Sequence, residues 1–127
     1  MQEIKKVTVK PPQEWLDLVN QIFEIEKKHS LIKEENSISR NITKLKGLLE
    51  EGFFKGGGMT YHNPIGEGYS DTRTDCEATI AGTGVENLEI TEVIKPIIFY
   101  AYQENEKVIK VIVQAAVVIV QSKNINL

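Results

Sequence analysis

The chain is organised around the stretch GMTYHNPIGEGYSDTRTDCEATIAG, residues 58–82. Before this stretch, apolar residues recur at the three- and four-residue spacing of a helix, and after it β-branched residues alternate or run together. The stretch itself is rich in Gly, Asp and Thr, and it carries one of the two histidines and the single cysteine. It therefore predicts a junction between a helical half and a β half, in an α+β fold.

The composition limits the class of protein. The 127 residues, 41% of them apolar and 26% charged, are typical of one soluble domain or of a domain with a helical extension. The net charge of −3 argues against a nucleic-acid partner, because no basic excess is available to neutralise phosphates. A single cysteine favours a reducing compartment. The first residues lack the apolar core of a signal peptide, and the apolar run at 108–120 is too short to span a bilayer. We expect a cytoplasmic protein without membrane contact.

Residues 12–55 are predicted to be helical. They follow a short strand or extended arm over 1–11, which ends at the prolines of positions 11 and 12. Two apolar faces at helical spacing follow, one from Trp15 to Phe23 and one from Ile38 to Leu49. Between them Asn36 and Ser37 either form a turn that caps a second helix or interrupt one long helix. The prediction is thus an N-terminal long helix or a helical hairpin.

The apolar stripe on this helical region is narrow and needs a partner. Such a stripe packs against the rest of the chain or against another copy of the helix. We predict a homodimer formed through this region, and the alternative is a helical hairpin that folds back on the β half. The residues expected at the dimer interface are Trp15, Leu18, Ile22, Ile38, Ile42, Leu45 and Leu49.

Residues 56–127 are predicted to form a compact, antiparallel all-β domain or a small barrel. Candidate strands lie at 59–61, 77–81, 88–102, 108–113 and 117–121, and Pro96 divides the third because a central strand cannot spare the amide. The residues 103–106 read as the turn of a hairpin. Short turns without an intervening helix favour antiparallel pairing. The glycines at 56–58 are expected to form a hinge.

One loop-rich segment holds a dense set of ionisable groups: His62, Asp71, Asp75, Cys76 and Glu77. These residue types can bind a metal, but their spacing matches no zinc pattern. Cys76 with His62 as its base is a second possibility, although the sequence indicates no oxyanion hole. A structured turn is favoured, in which Arg73 pairs with a carboxylate and Cys76 is a small buried group. We therefore expect no catalytic residue, no cofactor and no metal.

With these parts in view, residues 40–122 resemble GrpE, the nucleotide exchange factor of bacterial Hsp70 chaperones. The similar pieces are a helix that ends near 49–53, the segment 64–71 (PIGEGYSD), Glu77–Ala78, the segment 90–94 (ITEVI) and the final strands. The chain departs from the family in several places. The helical part is shorter, Phe99-Tyr100 replaces a Gly-Tyr pair, and the residues 114–116 read Gln-Ala-Ala where the family has Arg-Pro-Ala.

The resemblance implies a function without bond chemistry. GrpE-like proteins dimerise through paired helices, and their β domain docks on the Hsp70 nucleotide-binding domain and holds its cleft open. The expected partner is an Hsp70-type ATPase, and the alternative is a dimeric interaction module with a different, non-chaperone protein partner. The residues expected to contact the partner are Tyr69, Asp71, Arg73, Tyr100, Tyr102 and Gln114.

Overall fold

The computed structural model describes residues 2–6, 11–34, 36–51 and 57–123. In these residues one strand, two helices and then seven strands follow one another, which is the α+β class predicted. The elements are β1 (Gln2–Lys6), α1 (Gln13–His29), α2 (Ile38–Glu50), β2 (Gly57–His62), β3 (Gly68–Tyr69), β4 (Cys76–Ala81), β5 (Leu88–Lys95), β6 (Ile97–Glu104), β7 (Lys107–Gln114) and β8 (Ala116–Ser122). Neither helix is long and apolar enough to cross a bilayer.

The chain divides into two compact units. Unit 1 comprises Met1–Tyr61 and Ile98–Val113, and unit 2 comprises His62–Ile97 and Gln114–Leu127. The β region is therefore shared between the units, since β2 and most of β6 and β7 group with the helices. The division differs from the predicted boundary at residue 56, because that boundary followed the change in sequence periodicity, whereas the packing follows contacts between distant segments.

The two helices are separate, which settles the alternative left open at Asn36 and Ser37. The helix α1 begins after Pro12, whose carbonyl accepts the Trp15 amide at 3.0 Å. Three basic residues in its last turn complement the negative end of the helix dipole. At the start of α2, the Asn36 Oδ1 atom accepts the Ile38 amide at 3.0 Å, while the Ser37 side chain makes no capping bond. The Nε2 atom of His29 lies 3.0 Å from the same Asn36 oxygen.

The helices pack on strands of unit 1. The buried cluster at the centre is formed by Val19, Ile22, Leu49, Met59 and Ile98, and Trp15, Leu16, Tyr61, Tyr100 and Val113 pack around it. Among the residues expected at a dimer interface, Ile22, Ile42 and Leu49 are buried within one chain. Leu18, Ile38 and Leu45 are exposed and remain available to a second copy. Dimerisation through these three residues stays a prediction.

Two glycines of β2 allow neighbouring groups to approach closely, the end of α2 at Gly58 and the Tyr100 ring of β6 at Gly57. A Cβ atom on Gly58 would lie 2.0 Å from the carbonyl oxygen of Glu50, and a Cβ atom on Gly57 would overlap the ring of Tyr100. Any larger side chain would push the end of α2 or the tyrosine away. Gly57 and Gly58 are buried at the start of β2, so the predicted hinge is wrong for these two positions. Gly56 lies outside the described residues.

The sheet that belongs mainly to unit 1 has the order β1-β7-β6-β2. Its hairpin between β6 and β7 turns on Asn105 and Glu106, whose φ angles of 50° and 67° are those of a type I′ turn. The hairpin predicted at 103–106 is present, with a two-residue loop. The strand β1 pairs with β7 in parallel.

The sheet of unit 2 has the order β3-β5-β8-β4. Strands β5 and β8 pair antiparallel, with irregularities at Thr91 and Ile94. Strands β4 and β8 pair in parallel, with a regular register from Cys76 opposite Ala116 to Ala81 opposite Gln121. The prediction of an all-antiparallel β domain is therefore wrong for this pair. Short turns govern only neighbours in sequence, and β4 and β8 are not neighbours.

Candidate functional site

The loop between β3 and β4 is held by Arg73. Its Nε and Nη2 atoms donate to the two carboxylate oxygens of Asp75 at 2.9 and 3.0 Å, and its Nη1 atom donates to Glu67 Oε1 and to the Gly68 carbonyl, both at 3.0 Å. This two-pronged geometry is the strongest form of an ion pair at a protein surface. The predicted pairing of Arg73 with a carboxylate is confirmed, and its guanidinium forms hydrogen bonds to Asp75, Glu67 and Gly68 around this loop.

The charges in this network shift one another's pKa values. The hydrogen bonds from Arg73 lower the pKa of Asp75 against the opposing effect of burial. Burial would raise the pKa of Glu67, but hydrogen bonds from His62 and Arg73 outweigh it and the pKa is lowered. Both carboxylates are therefore charged at neutral pH, and their ion pairs with Arg73 stabilise the loop.

Backbone contacts fix the preceding loop, between β2 and β3, against β5. The Gly66 amide donates to the Ile90 carbonyl, and the Ile90 amide donates to the Glu67 carbonyl, both at 2.9 Å. Gly66 has a φ of 83°, which glycine adopts readily. In the loop between β3 and β4, the Arg73 amide donates to the Ser70 carbonyl at 3.0 Å. The loops on both sides of β3 are thus held by specific hydrogen bonds.

A concave surface lies beside the loop between β3 and β4 in unit 2. Its volume is about 480 Å³, and its lining is Tyr69, Ser70, Asp71, Ala78, Ile80, Val85, Asn87 and Leu88. Two of its apolar side chains are open to solvent, Ile80 at 43% and Val85 at 72%. Asp71 has no ion-pair partner among residues 57–123. We call this surface the unit 2 cavity.

The unit 2 cavity combines apolar side chains with the carboxylate of Asp71, which forms no ion pair with the residues described between 57 and 123. Exposed apolar groups that cluster in a concave surface are typical of sites that bind another molecule, whereas apolar residues scattered singly are ordinary. A polar group at the margin of such a surface fixes the orientation of what binds. This arrangement suits a protein segment that carries apolar side chains and a basic residue.

The residues expected to contact a partner lie in different places. Tyr69 and Asp71 line the unit 2 cavity. Gln114 donates from Nε2 to the Pro96 carbonyl at 3.0 Å, a contact that joins two segments of unit 2. Tyr100 and Tyr102 belong to unit 1, where their rings stack with centroids 5.8 Å apart. Within unit 2 the structure groups Tyr69 with Asp71 on one surface, and within unit 1 it groups Tyr100 with Tyr102 on one strand.

Four apolar residues of the unit 2 cavity were not predicted as site residues: Ala78, Ile80, Val85 and Leu88. Val85 carries a recognisable signal, since it is a lone apolar residue in the turn-rich segment 82–87. Ile80 carries none, because its exposure depends on β4 lying at the end of the sheet. Leu88 was read as an ordinary strand residue.

Cys76 and His62 are engaged in structural contacts. Cys76 is buried, and burial raises the pKa of its thiol to about 11, so that little thiolate forms at neutral pH. The Nε2 atom of His62 forms a hydrogen bond with Glu67 Oε2. In the part of the chain that the structure describes, no three His, Cys, Asp or Glu side chains are grouped to hold a metal.

A second polar cluster ties the elements of unit 1 together. The Tyr61 hydroxyl donates to Glu26 Oε1 at 2.7 Å, and the Lys46 ammonium lies 3.2 Å from Glu26 Oε2. Lys46 also sits 5.0 Å from the centre of the Tyr61 ring. Burial, with the hydrogen bond to Glu26, raises the pKa of Tyr61, so the phenol stays protonated and donating. The cluster joins α1, α2 and β2 and has a structural role.

Comparison of the chain with models of protein families, with curated proteins and with solved structures finds no match.

Proposed function

We propose that this chain is a non-catalytic protein that binds an Hsp70-type ATPase and promotes release of its nucleotide. The observation that carries the proposal is the unit 2 cavity. Its lining includes Tyr69 and Asp71, which belong to the segment 64–71, one of the pieces on which the resemblance to GrpE rests. The exposed Ile80 and Val85 give a partner apolar area to bury.

The physical mechanism is a shift in the conformational equilibrium of the partner. A protein that binds the open form of an ATPase more tightly than the closed form raises the population of the open form. A tenfold shift requires a difference in binding free energy of about 1.4 kcal/mol. Burial of about 60 Å² of additional apolar surface in the open complex would supply that difference. No bond-making side chain is needed.

The test is the rate at which an Hsp70-type ATPase from the same cell releases a fluorescent ADP analogue. Saturating protein is expected to raise this rate at least about tenfold. The variant Ile80→Asp places a charge on the lining of the unit 2 cavity and is expected to abolish the effect. The matched control is Ile94→Asp, since Ile94 is equally exposed at 45%, lies on β5 of the same sheet and does not line the cavity.

Two outcomes contradict the proposal. The first is an ADP release rate that saturating wild-type protein leaves unchanged. The second is equal acceleration by the Ile80→Asp and Ile94→Asp variants, because a site other than the unit 2 cavity would then hold the ATPase. Circular dichroism of both variants confirms that the fold is retained.

A second candidate function is an interaction module for a non-chaperone protein. The lengths of the helices favour it: α1 and α2 have 17 and 13 residues, about 25 and 20 Å, and much of their apolar surface faces the core of unit 1. GrpE-like proteins, in contrast, join through paired helices. Affinity capture with wild-type protein, Ile80→Asp and Ile94→Asp separates the two functions. A non-chaperone protein that only Ile80→Asp fails to capture supports the module.

A further inference from the structure

Among the described residues, β4 is the last strand of the unit 2 sheet, and one of its edges pairs with no strand; we call it the open edge. Its other edge is bonded to β8, and the Ala116 amide donates to the Asp75 carbonyl at 2.9 Å. In a strand the amide and carbonyl of one residue point to the same edge, and successive residues alternate. The residues 77, 79 and 81 therefore face β8, and the backbone groups of Ala78 and Ile80 face the open edge.

The open edge coincides with the unit 2 cavity. Ala78 and Ile80, whose backbone groups face outward, are the two β4 residues that line the cavity. Within residues 57–123 no other strand pairs with this edge. Apolar side-chain space and unpaired backbone groups thus lie side by side. An added strand uses both together, since its backbone pairs with the edge and its alternate side chains enter pockets.

The edge lacks several of the features that normally prevent pairing, and its one charged residue is Glu77. Natural edge strands are protected by proline, by lysine or by a bulge that twists the edge away. The sequence of β4, CEATIA, contains neither proline nor lysine. Its register with β8 is continuous over six residue pairs, without a bulge. An exposed, regular and mainly apolar edge is therefore open to an additional strand.

We propose that β4 accepts an extended segment of the protein partner as an additional strand, with apolar side chains in the unit 2 cavity and a Lys or Arg beside Asp71. This inference rests on the proposed function only in requiring a protein partner, whichever partner that is. Charge favours a partner over a second copy of this chain. Pairing of two β4 edges would bring the carboxylates of Asp71 and Glu77 of two copies together, and each copy carries a net charge of −3.

The probe is a capped seven-residue peptide with Val at its second and fourth positions, Lys at its sixth and Thr elsewhere, so that the valines and the lysine lie on one face of the added strand. The readout is amide hydrogen exchange of the full chain by NMR. At saturating peptide the amides of Ala78 and Ile80 are expected to exchange at least about tenfold more slowly. The amides of Glu77 and Thr79 already donate to β8 and are expected to change little. This alternation is specific to strand addition, since a ligand that only fills the cavity would not produce it.

Two matched comparisons test the backbone and the charge separately. A peptide N-methylated at the residues that face β4 cannot donate and is expected to bind at least tenfold more weakly. A peptide with Glu in place of Lys is expected to bind about two- to fivefold more weakly, and Asp71→Asn is expected to reduce that difference.

A variant of the protein gives an independent test. Ala78→Pro removes an amide that faces the open edge and leaves the ladder to β8 intact, so the fold is expected to persist. Binding of the Lys-Val peptide is expected to weaken at least tenfold. If this variant does not fold, the N-methylated peptide with wild-type protein decides the question.

Four results would each overturn the inference. Two concern binding: the Lys-Val peptide does not bind at millimolar concentration, or the N-methylated peptide binds as tightly as the unmodified one. Two concern amide exchange: the peptide protects residues 77 to 80 equally, or protection of Ala78 rises with protein concentration in the absence of peptide. The last result would assign the edge to a second copy. Failure of the proposed function is distinguishable. If the peptide protects the edge but the protein does not change ADP release, the strand addition stands and the exchange function falls. If instead the protein accelerates ADP release but the peptide does not protect the edge, the strand addition is refuted and the exchange function stands.

Discussion

Leu48 and Leu49 are adjacent leucines of α2 that differ in their surroundings. Leu49 is 4% exposed and belongs to the buried cluster of unit 1, whereas Leu48 is 48% exposed. Because both lie in one helix, Leu→Ala changes the intrinsic helix propensity equally at the two positions. The difference in unfolding free energy between Leu49→Ala and Leu48→Ala therefore reports packing alone.

The expected cost differs several-fold between the two variants. Leu→Ala in a buried core removes transfer free energy and leaves a cavity, at a cost of 2 to 5 kcal/mol, and we expect about 3 kcal/mol for Leu49→Ala. The exposed Leu48→Ala is expected to cost less than about 0.5 kcal/mol. With an m-value of roughly 1.5 kcal/mol/M in urea, Leu49→Ala lowers the unfolding midpoint by about 2 M.

The assay is urea unfolding monitored by the fluorescence of the single tryptophan, at two protein concentrations tenfold apart. An equal loss of stability in the two variants would contradict the orientation of α2, in which Leu49 faces the core and Leu48 faces solvent. The concentration series tests the predicted homodimer in the same experiment, since the midpoint of an obligate dimer rises with protein concentration. A midpoint that depends on concentration and falls in Leu48→Ala would place a second copy on the exposed face of α2.

Three further predictions concern individual contacts. Glu106→Gly is expected to raise the unfolding free energy by roughly 0.5 kcal/mol in urea unfolding, because the strain that glycine relieves at this positive φ exceeds the entropy that it adds to the unfolded chain. A loss of stability would contradict the type I′ turn. Arg73→Gln is expected to flatten the fall in stability below about pH 5. The two carboxylate partners of Arg73 have lowered pKa values in the folded state, so their contribution to stability is present at neutral pH and is lost as the pH drops through those values. The same fall in unfolding free energy at acid pH in the variant and the wild type, measured by urea unfolding, would contradict this. The Cys76 thiol is expected to react with a disulfide reagent slowly in the folded protein and rapidly in guanidinium, and fast reaction without denaturant would contradict its burial.

The sequence predicts well what depends on local periodicity. The spacing of apolar residues identified the face of α1 that carries Val19 and Ile22, and Pro96 marked the break between β5 and β6 because proline supplies no amide to a ladder. The hairpin around Asn105 followed from polar residues between two β-branched runs. Each of these depends on neighbours within a few positions.

What depends on distant pairing was not predictable. The parallel pairing of β4 with β8 joins residues 40 positions apart, from Cys76 with Ala116 onward, and no local pattern encodes it. The exposure of Ile80 follows from that pairing, since a central strand would have covered it. The candidate site was therefore predicted through Tyr69 and Asp71 only, and its apolar lining came from the structure.

The chain's own helices show the same limit. A narrow apolar stripe predicts that something covers it but does not identify what does. The structure covers Ile22, Ile42 and Leu49 within one chain and leaves Leu18 and Leu45 exposed. Periodicity alone could not separate these two sets, because they lie on overlapping faces of the same helices.

The most direct measurement for the whole account is the ADP release rate of an Hsp70-type ATPase, followed as wild-type protein, Ile80→Asp and Ile94→Asp are titrated in turn. The account predicts that wild type and Ile94→Asp raise the rate to the same plateau and that Ile80→Asp leaves it at the basal value. Three superimposable flat titrations would contradict the exchange function, and three superimposable rising ones would contradict the assignment of the unit 2 cavity.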